Sequence, residues 1–204
     1  MSLLTKENRN TILNAIFITF WFGFVMFDLS LFFYTHSVIY LLTTIIQAEF
    51  LFFFVIRNKS SAITDNLTDY VVAMIGTFAM FLFRPGDFSL VSISVVYVAI
   101  AIIMLLEFIS FLSLNKSIGI VPANRGIQTH GLYSFVRHPI YLSYFLYYAI
   151  LFISNVSVYN FFVIIFCKSI QIMRIYREEK LLNLDPAYRE YAKHVRWRIL
   201  PGVF

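Results

Sequence analysis

Apolar residues run through this chain in long blocks, separated by short polar breaks. Six blocks stand out, at residues 11–34, 38–56, 66–83, 90–113, 139–153 and 159–176. The first four come close to or exceed the ~20 residues that a helix needs to cross a bilayer. The last two are barely long enough and are separated only by SNVS at 154–157, which predicts a tight helical hairpin. A three-residue link, THS at 35–37, joins the first two blocks, and RPGDF at 84–88 carries a Pro-Gly turn signal between the third and fourth. Two stretches stay outside this pattern, 115–137 and 177–204; the first carries Arg125, His130, Tyr133 and Arg137, and the second is rich in Arg, Tyr and Glu. With no internal repeat or low-complexity linker, the simplest organisation is one membrane domain over 1–204. It divides into N-terminal membrane helices (1–113) and a C-terminal part (114–204) that holds the polar segments.

Composition strengthens this picture. The chain is 60% hydrophobic and only 13% charged, where a soluble domain carries roughly a quarter charged residues. The fold class expected is all-α, a polytopic helical membrane protein ending in a helical hairpin and an amphipathic segment. The 24 Phe and 13 Tyr are explained first as lipid-facing and helix-packing bulk. The first block is too long for a signal-peptide core and lacks a small-residue cleavage site, so it is expected to remain as a membrane helix. Cys167 is the single cysteine; it excludes an intramolecular disulfide and a cysteine-rich metal site, and no metal is expected.

Charge adds an orientation. Six crossings put 15 of the 16 Lys and Arg on one face, leaving only Arg84 on the other. The positive-inside rule makes that face cytoplasmic and places both termini there. The expected setting is a multi-pass protein of the plasma or inner membrane in a prokaryote, or of the endoplasmic reticulum in a eukaryote. The net charge is +5, and half of the Lys and Arg fall between Lys168 and Arg198, so the partners expected are anionic headgroups or an anionic ligand at the membrane surface, not nucleic acid.

Candidate chemistry falls in the polar stretches. In Arg137-His138-Pro139, the proline fits the first turn of a helix, where its missing N–H costs nothing. Arg137 and His138 would then stand at a helix N-terminus, which favours an anionic group; a snorkelling interfacial Arg explains the same residues. In RIYREEKLL (174–182), Arg174 and Glu178 share a helical face, as a surface ion pair or as a functional pair at the bilayer boundary. PAYREYAKHVRWRILP (186–201) puts Tyr188, Tyr191 and Val195 on one face, which predicts an amphipathic helix lying on the membrane. SIGIVPANRGIQTHG (117–131) reads as a loop and contains neither glycine-rich nucleotide motif. Four N-x-[ST] matches, at Asn58, Asn66, Asn115 and Asn155, are attributed to chance.

Taken together and in order, GLYSFVRHPIY, a short hydrophobic hairpin, R-x-x-x-E-E-x-x-L, then Y-x-x-Y and a final Pro, the C-terminal region resembles the isoprenylcysteine carboxyl methyltransferase family. That family belongs to a wider set of integral-membrane methyltransferases that includes phospholipid-methylating enzymes. The resemblance covers residues 116–204; the first 110 residues share with it only their membrane-helix character. It implies an S-adenosylmethionine cofactor bound on the cytoplasmic face and a lipophilic methyl acceptor. The family's cofactor loop matches Arg125, Gly126, Ile127 and Gln128, followed by Tyr133. Its His-Pro-x-Tyr element matches His138, Pro139, Ile140 and Tyr141, its cofactor-binding Glu matches Glu178, and its substrate-binding Arg matches Arg174. The cofactor's groups suit these residues: Arg137 and His138 for the carboxylate, Glu178 for the ammonium, Tyr133 and Tyr141 for stacking or a cation–π face. A carboxylate acceptor needs no base and would be held by Arg174; an amine or thiol would need one, with Glu179 or His138 as candidates. The chain departs from the family where Phe-Gly gives way to LNLDPAY, and where the V-P-R ending becomes Val195-Arg196-Trp197-Arg198 with Pro201 later.

The function expected is thus carboxyl O-methylation of a prenylcysteine-like acceptor, with a phospholipid amine or a small hydrophobic thiol or acid as alternatives. Two other classes stay open: a sterol-reductase-like enzyme, which shares an R-H-P-x-Y ending but is usually longer, and a non-catalytic transporter or scaffold. For the last, Asp28, Glu49 and Glu107 could mark a polar path within the membrane.

Overall fold

The computed structural model describes residues 6–204, with the side chains of residues 6–11 and 13 outside the description, so the expected placement of the Lys6 and Arg9 charges lies outside the described residues. Each of the six apolar blocks becomes helical. They form α1 (Lys6–Thr35), α2 (Val38–Ile56), α3 (Leu67–Phe78) with a 3₁₀ turn over Ala79–Leu82, α4 (Ile93–Leu114), α5 (Pro139–Ser154) and α6 (Val158–Leu182). A seventh helix, α7, spans Pro186–His194. Two two-residue strands, β1 (Ala62–Ile63) and β2 (Ala123–Asn124), pair antiparallel. Among the described residues, four helical stretches are long and apolar enough to cross a membrane: Asn14–Thr35, Val38–Ile56, Ile93–Ser117 and Val158–Leu182. Outward faces are greasy as well. On α4, Val98, Ile102, Leu105 and Ile109 form an exposed stripe at helical spacing, a surface suited to lipid and costly in water.

Contacts divide the chain into two compact units, Met1–Ile56 and Arg57–Phe204. The second unit holds α3 and α4 together with the C-terminal segments. The first unit is a helical hairpin. His36, at φ +55°, ends α1 by donating its N–H to the Phe32 carbonyl (2.7 Å), the left-handed helix stop that glycine or a small polar residue usually supplies. Rings then lock the two helices, with Trp21–Phe50 centroids 4.7 Å apart and Phe17–Phe54 4.8 Å apart. Gln47 donates to the Asp28 carboxylate across the same hairpin.

In the second unit, helix starts are marked by capping side chains. Asn66 accepts from the Thr68 N–H (2.9 Å), Ser157 from Asn160 (3.1 Å) and Asp185 from Ala187 (2.8 Å), each satisfying an end group that has no partner within its helix. Pro139 and Pro186 occupy the first turns of α5 and α7. The core joins α3, α5 and α6: Cys167, fully buried, packs with Ala79, Tyr148 and Val163. Gln171, also fully buried, ties this core together by donating to the Gly76 carbonyl (2.8 Å) and to the Tyr148 hydroxyl (3.1 Å).

The C-terminal segment differs from expectation in two ways. The helix expected over 186–201 stops at His194, and Val195 is already extended. The chain that follows is held by backbone bonds: Arg137 N–H donates to the Trp197 carbonyl (2.9 Å) and His138 N–H to the Arg198 carbonyl (2.8 Å). Second, the apolar face of α7 is not turned outward as a membrane-surface helix requires. Tyr188, Tyr191 and Val195 are buried against Ile127 and Leu182, because the Asp185 cap, bonded to Asn124 Nδ2 (2.7 Å), folds the helix back onto the loop.

Candidate functional site

Glu178 and Glu179 are neighbours in sequence, but the helix sends them in different directions, into two separate clusters. The first cluster lines a cleft between α3, residues 119–122, Tyr141 and α6. Arg174 and Glu178 both face it, one helical turn apart, yet they form no ion pair with each other. Arg174 instead donates to Gln171 Oε1 (3.2 Å) and to the Ile120 carbonyl (3.3 Å), and its guanidinium lies 5.4 Å from the centroid of the Tyr141 ring. Glu178 accepts from the Tyr141 hydroxyl (3.0 Å). Among the described residues, neither Arg174 nor Glu178 has a salt-bridge partner. Glycine at position 76 makes room for this arrangement, since a Cβ there would stand 2.5 Å from Arg174 Cδ.

The same cleft holds two residues that sequence reasoning missed, Asp69 and Arg177. Arg177 Nη1 pairs with Asp69 Oδ1 at 2.5 Å, and the Thr64 hydroxyl donates to the other Asp69 oxygen. No local signal marks Asp69: it is one acid in the first turn of a short helix, 108 residues from its partner. Only the docking of α3 on α6 brings it to the site.

The second cluster is centred on Glu179, which is 4% exposed. Its Oε1 lies 3.1 Å from His138 Nε2 and 3.1 Å from Arg137 Nη1, and accepts from the Tyr188 hydroxyl at 3.1 Å. Its Oε2 accepts from Arg198 Nε at 2.8 Å. Arg137 and His138, expected to offer themselves to an anionic ligand, therefore spend their side chains on Glu179 and their backbone N–H groups on the C-terminal segment. Neither they nor Glu179 line the cleft, and both Glu179 oxygens are taken by these partners. Burial, with the Glu179 charge next in weight, pushes the Tyr188 hydroxyl well up, so Tyr188 acts here as a donor.

The loop matched to a cofactor-binding segment is anchored away from the cleft. Arg125 Nη1 donates to the Asn58 carbonyl (2.5 Å), and Asn58 Nδ2 returns a bond to the Arg125 carbonyl (3.1 Å). Gly126 needs its φ of +105° to turn the chain, Ile127 packs under α7, and Gln128 Nε2 donates to Ser117 Oγ (2.9 Å). Burial lowers the Arg125 guanidinium below its usual range. Tyr133 is buried; burial raises its hydroxyl first, with the Glu178 charge contributing, and its carbonyl accepts from the Tyr191 hydroxyl (2.7 Å). Pro139 and Ile140 serve as the start of α5 and aim Tyr141 at the cleft. Of the residues singled out by sequence, the fold thus gathers Tyr141, Arg174 and Glu178 in one cleft. It gathers Arg137, His138 and Glu179 in the adjoining knot, and leaves 125–128 as scaffold beside both. Among the described residues there is no cluster of His, Cys, Asp and Glu that could hold a metal. No protein-family model matches the chain and no curated protein matches it, so a functional reading rests on the geometry of the site.

Proposed function

We propose that this chain is an integral-membrane methyltransferase that uses S-adenosylmethionine and acts on a lipophilic acceptor carrying a carboxylate, such as a prenylated cysteine. The observation that carries the reading is the pair Arg174 and Glu178: a cation and an anion in one cleft, one turn apart, each bound only to neutral groups. That arrangement suits ligands with an ammonium and a carboxylate. Glu178 receives an ammonium; the Tyr141 ring presents a face to positive charge; Arg174 holds a carboxylate through guanidinium donors. Bound there, S-adenosylmethionine would supply an electrophilic methyl group.

The chain's own contribution is positioning. Arg174 fixes the acceptor carboxylate near the cleft floor, and holding two reactants in line removes much of the entropic barrier. A carboxylate acceptor has no proton to lose, so the commitment of Glu179 to His138, Arg137, Tyr188 and Arg198 does not obstruct the reaction. The knot around Glu179 keeps the C-terminal segment against the start of α5 and thereby holds Tyr141 in place. The amine and thiol alternatives fit less well, because they require a base, and the cleft carboxylates are Glu178, bonded to Tyr141, and Asp69, paired with Arg177. Six membrane crossings with both termini and the cleft on the cytoplasmic side belong to the same proposal, supported by the distribution of Lys and Arg.

Equilibrium binding of labelled S-adenosylmethionine to detergent-purified protein tests the reading. Saturable binding is expected for the unaltered chain, and Glu178→Ala should weaken it by at least about tenfold. Binding that Glu178→Ala leaves intact would remove the cleft as the site. Methyl transfer to a prenylated cysteine analogue, lost in Arg174→Gln, then tests the acceptor.

A further inference from the structure

The cleft contains two guanidiniums, and only one of them is free to meet a ligand. Arg174 and Arg177 are three residues apart on α6, on neighbouring positions of one helical face, and both line the cleft. Two guanidiniums side by side make a phosphate cradle, since each fork matches two oxygens of a dianion. Here Asp69 prevents it. Its side chain is about nine-tenths buried, its Oδ1 takes Arg177 Nη1 at 2.5 Å, and its Oδ2 is held by the Thr64 hydroxyl. The Asn66 cap and the α3 helix start fix this carboxylate's position. Arg174 has no such partner and bonds only to Gln171 and a backbone carbonyl.

We infer that Asp69 is the specificity-determining residue of the cleft: by neutralising Arg177 it leaves a single guanidinium for the ligand, and so selects monoanionic carboxylates over phosphates and other dianions. The inference rests on reading this cleft as a ligand site, and it names the charge class that the site admits. It also gives α3 a chemical role. With Arg177 neutralised, the groups left for a ligand are one cation, Arg174, and one anion, Glu178, which match a zwitterion or a carboxylate with a neutral tail. Without the filter, phosphomonoesters and inorganic phosphate, which are largely dianionic at neutral pH, would compete for the same donors.

Opposite substitutions at the pair test the filter in the full-length protein in detergent. The probes are inorganic phosphate, as competitor of labelled S-adenosylmethionine, and phosphate-induced thermal stabilisation, which needs no S-adenosylmethionine. In Asp69→Asn, which keeps the side-chain shape, phosphate should compete about tenfold better than in the unaltered protein, and should now raise the unfolding temperature. Arg177→Gln, which leaves Asp69 uncompensated at the cleft, should weaken phosphate and S-adenosylmethionine alike. The double variant Asp69→Asn/Arg177→Gln should return phosphate competition to the unaltered level. Unchanged phosphate behaviour in Asp69→Asn overturns the inference, as does a gain that survives in the double variant. Should Asp69→Asn fail to fold, Arg177→Gln decides alone: anion binding as strong as in the unaltered protein overturns the inference. Failure of the unaltered protein to bind S-adenosylmethionine would overturn the functional proposal instead, with the phosphate thermal shift still judging the filter.

Discussion

Consecutive residues on a helix leave it roughly 100° apart, and Glu178 and Glu179 show how much that rotation decides. One points into the cleft beside Tyr141; the other is buried among Arg137, His138, Tyr188 and Arg198. Removing a buried carboxylate from such a knot leaves charged partners without compensation. Glu179→Gln is therefore expected to lose about 2–3 kcal/mol of stability, near the lower end for buried pairs because Arg198 is partly exposed. Thermal unfolding in detergent reads this directly, and an unchanged unfolding temperature would refute the structural role. Glu178→Gln should instead leave unfolding unchanged while weakening ligand binding. Gly76 gives a second contrast. Alanine there places a Cβ 2.5 Å from Arg174 Cδ, so the guanidinium must move. Affinity for labelled S-adenosylmethionine should fall by about tenfold, with little loss of stability because alanine favours the helix. Equal affinity for the two proteins would mean that the present position of Arg174 is immaterial.

At the level of elements, the decisive features are places where two backbone segments meet. The RPGDF turn lies against the SNVS link of the α5–α6 hairpin: Asp87 N–H donates to the Val156 carbonyl (2.8 Å) and Val156 N–H to the Phe88 carbonyl (2.9 Å). Asn160, fully buried, stitches the same corner by donating to the Arg84 and Asn155 carbonyls. Gly86 permits the approach, since any Cβ there would stand 2.2 Å from the Asn155 carbonyl carbon. Backbone cannot yield as a flexible side chain does. Gly86→Ala should therefore cost ~1–3 kcal/mol by overpacking, visible as a lower unfolding temperature; a neutral result would contradict the close contact. The Pro-Gly turn itself was legible in the sequence, because Pro and Gly act locally. The segment that turn packs against was not.

For the whole molecule, the testable consequence is topology. Lys193→Cys and Asp87→Cys, each in a Cys167→Ala background, report the two sides through an impermeant maleimide applied to sealed vesicles. Lys193→Cys should react from the cytoplasmic side and Asp87→Cys from the other. Labelling of both from one side would eliminate the six-crossing arrangement. All residues lining the cleft belong to the unit Arg57–Phe204, so the site draws on α3 as well as on the C-terminal segments that carry the family resemblance.

What the sequence determined by itself is what local chemistry controls. Apolar block length placed α1 to α6, with ends differing by up to six residues, and the proline rule set the start of α5. The four-residue helical repeat put Arg174 and Glu178 on one face. Tertiary structure alone decided which neighbours those faces meet. It turned Arg137 and His138 onto Glu179, stopped α7 at His194 so that the following chain could pair with residues 137–138, and brought Asp69 to Arg177 across 108 residues. The physical reason is range: propensities and periodicity act over a few residues, whereas a side chain's partner is set by the packing of segments distant along the chain, for which a single sequence holds no local mark.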